Sequence, residues 1–286
     1  MTQINLPLSD LGKLGQPIAD IANNLINKFS SAIGWCATPK GLKHTQLEAY
    51  NSIISEIAKR DDINPIERGA IISNWKKAIK EYTNQYDILE VAIEHLTPTA
   101  HPENLDEEWL QFFVEKSKLA SKDETKLLWG KILAEECNNP NSVSKSLLNT
   151  LSLIDSNLAL AFTKVVSHSI IAEDDEALPI ISFNDNQSYY DNINLSFSVL
   201  TELDNYNLIK FNALTGYALQ RESLSATYFN TKLEAKSQTS SIPIGNVILT
   251  NDGAQLFKII DKEKYDKFLE MVLQHFTKNN MAITTE

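Results

Sequence analysis

Glycine is scarce in this sequence. Nine occur among 286 residues, about 3% where ~7% is usual, which favours helices and argues against glycine-rich loops that cradle phosphate. Cysteine is scarcer still: Cys36 and Cys137 lie far apart, form no metal-ligand spacing and define no disulfide framework, so an intracellular, cytoplasmic location is expected. No run of about 18 apolar residues occurs, which argues against a spanning helix. The opening MTQINLPLSDLGKLG lacks a charged stretch followed by an apolar one, so no signal peptide is expected.

Catalytic signatures are missing too. There is no nucleophile elbow, Walker loop, dinucleotide fingerprint, His-Glu-x-x-His helix or Cys-x-x-Cys pair. His44, His95, His101, His168 and His275 are scattered, none beside a carboxylate, serine or cysteine at relay spacing, and each is expected at the surface or in a capping role. Glu135 and Glu136 oppose the dipole near a helix C-terminus. That placement suggests metal or arginine capture, although Glu135 pairing with Lys131 and a solvated Glu136 is the simpler expectation. No catalytic residue, cofactor or metal follows from the sequence, no small-molecule substrate is evident, and enzymatic activity is disfavoured.

Positive charge is in deficit as well. The net charge is −11, and residues 101–176 hold seven basic residues against fourteen acidic ones. Such a surface repels nucleic-acid phosphate unless a local patch overrides it.

Apolar residues are plentiful, at 43%, enough for a full core, and the length suits about two domains. The pattern predicts a mainly α chain: an N-terminal region of long helices (1–100) of hairpin or coiled-coil character, a compact helical core (101–172), an acidic linker (173–179) and a smaller α+β, winged-helix-like domain (180–286).

In the first region Ile18, Ala22, Leu25, Phe29, Ala32 and Cys36 step by four and three after Pro17, a residue suited to a first helical turn. The opposite face is polar and nearly uncharged. Packing against neighbouring helices is expected; reversible membrane contact through Ile18–Cys36 is the rival, and the single Lys28 on the polar face weakens it. Further on, Ile72, Trp75, Ile79, Tyr82, Tyr86, Leu89, Ile93 and Leu96 alternate spacings of three and four, a seam of about 36 Å. Asn64 and Pro65 fit its start, Thr97 and Pro98 its end. The seam predicts either a helical hairpin within the chain or a surface for self-association or a protein partner.

The second region reads LDEEWLQFFVEKSKLASKDETKLLWGKILAEECNNPNSVSKSLL from Leu105 to Leu148. Asp106 fits a cap for a helix bearing Trp109, Phe112 and Phe113, and Ser121 with Glu124 fits a capping box. The next helix buries Leu128, Ile132 and Trp129 and breaks at Asn138, Asn139 and Pro140. Ser142 or Ser144 starts another helix, and Asp155 or Ser156 a fourth. Short connections demand a tight array. The acids 173–176 before Pro179 read as a solvated linker.

In the third region a helix is expected over Leu195–Asn205, a strand through Leu208, Ile209 and Phe211, β structure over Ile242–Leu249, a helix capped by Thr250 and a last helix over Lys264–Phe276. The order fits a winged helix. Its recognition helix, LSFSVLTELDN, carries two acids and no base, which argues against DNA reading. Lys210, Arg221, Lys232 and Lys236 offer at most a salt-sensitive patch.

The segments AIGWCATPKGL, W-L-x-F-F, S-K-D-E, L-W-G-K-I-L-A-E-E and P-N-S-V-S-K-S-L-L, in this order, resemble a bacterial family catalogued as domain of unknown function 2806. The likeness runs from about Pro17 to Ile170, more weakly beyond. Its motif residues here are Trp109, Phe112, Phe113, Trp129, Ile132, Leu133, Glu136, Pro140 and Ser144. The chain departs from the pattern at Asn141, where a glycine is usual, and at Ala134-Glu135, where an alanine-glycine pair is usual. The resemblance implies a soluble, mainly helical protein with no established catalytic residues and relatives in phage-defence neighbourhoods. A non-enzymatic protein of helix–helix interaction or self-association, with phage defence as the setting the resemblance implies, is therefore expected; a nucleic-acid-binding regulator and a membrane-acting effector are the rivals.

Overall fold

A computed structural model describes residues 16–34 and 42–285. The chain divides into two compact units, Met1–Ser152 and Leu153–Glu286. The division thus falls within the expected core of 101–172: its first part joins the N-terminal helices in one unit, and its last part belongs with the α+β unit.

The first unit is helical: α1 (Gln16–Ile33), α2 (Leu42–Ala58), α3 (Pro65–Glu94), α4 (Glu107–Ser117), α5 (Asp123–Asn138) and most of α6 (Lys145–Leu153). Their starts follow side-chain chemistry. Asn64 accepts the Ile66 N–H at 2.9 Å ahead of Pro65, Asp106 the Trp109 N–H at 2.8 Å, and Ser144 the Leu147 N–H at 3.0 Å; each satisfies a donor that the first turn leaves free. The expected Ser121–Glu124 box is not what starts α5. Lys122 takes the cap position, its side chain making no bond to the free N–H groups of the first turn, and the first-turn acids Asp123 and Glu124 meet the positive end of the helix dipole instead.

Helix α3 is the spine. Its C-terminal half packs on α5 and its N-terminal half on α2, while α1 lies against α4 and the turn Pro102–Asn104. The closest approach is at Gly130, where a β-carbon would sit 2.4 Å from the Val91 Cβ and 2.9 Å from the Ile88 carbonyl oxygen.

The second unit is α+β. Its elements are α7 (Ser156–Ser167), β1 (Ser169–Ala172), β2 (Ala177–Pro179), α8 (Gln187–Asn192), α9 (Phe197–Asn205), β3 (Ile209–Phe211), β4 (Tyr217–Leu219), β5 (Ser223–Tyr228), β6 (Thr231–Lys236), β7 (Ile242–Gly245), β8 (Val247–Leu249), α10 (Asn251–Ile259), α11 (Asp266–Lys278) and β9 (Ala282–Thr285). An antiparallel sheet runs β2-β1-β5-β6-β9, and two further pairs join β3 to β8 and β4 to β7. Caps at Asp155, Ser196 and Thr250 start α7, α9 and α10. The acidic run 173–176 is no linker: it turns β1 back onto β2, with Ile170 opposite Leu178. Leu224, Ala226, Tyr228, Leu233 and Ala235 form one buried face with Phe268, Val272 and Phe276 of α11. That α11 stripe repeats at four and four, which puts all three side chains on one side of the helix.

Candidate functional site

In the first unit the family-motif residues converge. The Trp109 ring stacks on Phe113 at 5.3 Å, and Phe113 meets Trp129 edge-on at 5.3 Å. The Trp109 indole N–H donates to the Val143 carbonyl at 2.8 Å. Ile132, Leu133 and Trp129 are buried beside them; Phe112 is half-buried under the Lys116 ammonium. Glu136, expected in solvent, is buried. Its two oxygens accept the backbone N–H groups of Asn141 at 2.7 Å and Val143 at 2.8 Å. Burial pushes its carboxyl pKa up against the opposing pull of those N–H donors. The Asn-Asn-Pro-Asn turn is thereby strapped to the end of α5, with Pro140 half-buried within it and Ser144 capping α6 just after.

Asn141 has φ +67°, a left-handed conformation that asparagine tolerates better than most side chains. That is a conformation glycine also adopts without strain. Glu135 accepts from the Asn139 side-chain amide at 3.0 Å. Together these groups make a structural clasp. Cys137 beside them is buried, and burial pushes its thiol up to about 12; Cys36 lies outside the described residues.

The α3 seam divides into two halves. Tyr82, Tyr86, Leu89, Ile93 and Leu96 are all 7% exposed or less. Ile72, Trp75 and Ile79 are only half-buried. They run along an arm formed by α2 and the start of α3, joined by the tight turn 59–64, where Tyr50 meets Trp75 at 5.4 Å. Ile54, Ile57 and Ile71 on this arm are also half-buried, and Ile53 and Ile66 are exposed. The arm is two helices thick, so each helix has one apolar side that its partner helix cannot cover.

On α1, the face that membrane contact would need is already packed: Ala22, Leu25, Ile26 and Phe29 are at most 1% exposed, with Phe29 edge-on to Phe113. Lys28 donates to the carbonyls of Glu103 and Leu105. No helix among the described residues is long and apolar enough to cross a membrane.

The second unit buries two histidines, His168 at the C-terminal cap of α7, a capping role as expected, and His275 within α11, where neither surface nor cap was found. His168 donates from Nδ1 to the Lys164 carbonyl at 2.6 Å and accepts the Tyr189 O–H at Nε2, 2.9 Å away. Burial lowers its pKa to about 4, so it is neutral at pH 7. His275 donates from Nε2 to the Pro243 carbonyl at 3.0 Å, and Nδ1 accepts the Ser182 O–H at 2.5 Å; burial lowers its pKa too. This serine–histidine pair lacks a carboxylate behind the ring, and Ser182 is buried, so neither half is placed for attack on a substrate. Partners 21 and 93 residues away in sequence explain why spacing gave no sign of either.

One open cleft stands out in this unit, about 760 Å³ in volume. Its floor is Ile171, Leu178, Leu219, Ile244, Ile248 and Phe257. Asp175 and Glu176 enter from the β1–β2 turn, Lys258 and Lys262 from the end of α10. The Lys262 ammonium lies 4.2 Å from the centre of the Phe257 ring. Among the described residues no cluster of three metal-ligating side chains occurs.

The model of a family described as "Protein of unknown function (DUF2806)" matches residues 73–273. The match begins within α3 and runs through α11, so it covers the motif core and most of the second unit. It thus reaches further along the chain than the expected likeness to Ile170, and it leaves out AIGWCATPKGL. No curated protein and no solved structure matches the chain.

Proposed function

We propose that this chain, which belongs to the DUF2806 family, is a non-enzymatic protein that associates with a second copy of itself through the α2–α3 arm. The observation that carries the reading is the contrast along the seam. Its C-terminal half is covered by the chain's own helices, whereas Ile72, Trp75 and Ile79 are only half-covered, next to a second row made by Ile53, Ile54 and Ile57. Two antiparallel hairpins laid face to face would make a four-helix bundle and close both rows, the commonest way for helices to bury such stripes. A two-fold pairing needs only this one patch, presented by both copies. In the phage-defence setting that the family resemblance implies, the arm is the means by which copies assemble.

The reading is tested by co-purifying two differently tagged full-length copies. The wild-type pair should be recovered together, and Ile57→Asp with Ile72→Asp should abolish recovery while the helical circular-dichroism signal is retained. Copies that never co-purify, or that still do so after both substitutions, would exclude the arm as the contact.

The second unit supports a further, lesser reading as a winged helix. Helix α9 leads into β3, which pairs with β8 ahead of α10, and Ile181 bridges to Gly245. Its α9 carries Glu202 and Asp204 and no base, which favours protein contact over duplex binding. The full chain should show no shift of a duplex at ~50 mM salt, where non-specific attraction is strong. A clear shift there would instead support the nucleic-acid-binding regulator.

A further inference from the structure

The cleft of the second unit carries an inference independent of the arm. Its volume lies in the range of small-ligand sites, roughly 300–1,000 Å³, and its floor is aliphatic with one aromatic wall. Charge enters it from two sides, and the two sides differ in what they face. On the acidic side Glu176 is engaged by Arg221 at 3.1 Å, and Arg221 also reaches Asp174 at 3.9 Å. Asp175 is exposed on the turn. On the basic side neither Lys258 nor Lys262 is in an ion pair among the described residues. Lys262 is half-buried, held by its contact with Phe257, and its nearest acid in sequence, Asp261, is exposed.

An ammonium partly withdrawn from water beside an apolar floor is costly unless an anion joins it. Burial lowers the pKa of Lys262, and the neighbouring Asp261 carboxylate opposes this only in part, the sign expected of a cation whose desolvation outweighs the charge beside it. Contact with an aromatic face offsets only part of that cost. A ligand with an apolar body and one carboxylate would fill the floor and supply the missing charge together.

We propose that this cleft binds a small amphipathic carboxylate, its apolar body on Ile244, Ile248 and Phe257 and its carboxylate on Lys262, with Lys258 beside it. The acids on the far side set the rival: a ligand ending in an amine would be drawn to Asp175 and Glu176 instead.

The test is calorimetric titration of the full chain with decanoate, decanol and decylamine, each below its aggregation concentration. Decanoate should bind with a dissociation constant of about 1 mM or tighter. Decanol should bind at least about tenfold more weakly, because a charge-assisted hydrogen bond contributes about 1.5–3 kcal/mol. Lys262→Met should erase that preference, leaving decanol unaffected, and Lys262→Arg should restore it. The proposal is overturned by no binding of decanoate, by equal affinity for decanoate and decanol in the wild type, by tighter binding of decylamine, or by an unchanged preference in a folded Lys262→Met protein. The wild-type comparison alone decides if that variant fails to fold.

Discussion

Gly130 of α5 lies so close to Val91 of α3 that a β-carbon on the glycine would come within 2.4 Å of the Val91 Cβ and Cγ1 atoms. Neither atom can yield without moving one of the two longest packed surfaces in the first unit, because the Ile88 carbonyl oxygen closes the same space at 2.9 Å.

Gly130→Ala should therefore destabilise the protein although alanine is the better helix former. Helix propensity favours it by about 1 kcal/mol, whereas overpacking costs typically about 1–3 kcal/mol; with backbone as well as side chain in the way the cost falls at the upper end, so a net loss of up to about 2 kcal/mol is expected in urea unfolding. Val91→Ala in the same chain should recover part of it. A Gly130→Ala protein as stable as the wild type would show that the helices part at no cost.

Glu136→Gln leaves one oxygen for two backbone donors and turns an amide N–H toward the other. The expected loss is about 1–3 kcal/mol, accompanied by faster amide exchange at Asn141 and Val143. Exchange unchanged at those two amides would separate the carboxylate from the turn that it is placed to hold.

Along the seam, truncation should act very differently at its two ends. Leu89→Ala removes a fully packed side chain and should cost about 2–5 kcal/mol. Ile72→Ala, half-exposed on the arm, should cost less than about 1 kcal/mol in the free monomer. Equal costs would mean that the arm is as deeply packed as the core.

The buried histidines give the protein an acid-sensitive stability. His168 has a pKa of about 4 when folded and about 6.5 when unfolded. Below pH 6.5 the unfolded chain therefore holds more protons than the native one, and stability falls as pH drops from about 6.5 to about 4. This residue alone accounts for a loss of about 3 kcal/mol over that window, and His275 acts in the same direction. Unfolding free energies measured at pH 7, 6, 5 and 4 should show the decline, and His168→Gln should flatten it. The same slope in that variant would assign the effect to other groups.

Much of the helical architecture could be read from the sequence because several starts are marked by a local device: Asn64 with Pro65, Asp106 and Thr250 all act within three residues of themselves. The apolar positions of the seam were legible for the same reason, since a spacing of three and four places side chains on one face. What the spacing does not say is how far along the helix a neighbour reaches, and so the division at Tyr82 was hidden. The β5–β6 hairpin escaped notice because its inward positions include Ala226 and Ala235, which give little contrast with the outward Ser225 and Glu234. Its turn is Phe229-Asn230, with Phe229 at φ +51°, where Asn-Gly is the usual mark. Glu136 and His275 were misplaced because their partners come from elsewhere, a loop after the helix in one case and other elements of the second unit in the other; His168 does take a capping position, at the end of α7, and only its burial and its bond to Tyr189 had no local sign. The cleft has no local mark either, as its two lysines and its floor come from segments some ninety residues apart.

Sedimentation velocity of the full chain across a concentration series, beside the Ile57→Asp, Ile72→Asp variant, addresses the central claim most directly. Self-association through the arm predicts a dimer that dissociates on dilution in the wild type and a folded monomer at every concentration in the variant. A wild-type chain that stays monomeric throughout, or a variant that dimerises as the wild type does, would contradict it.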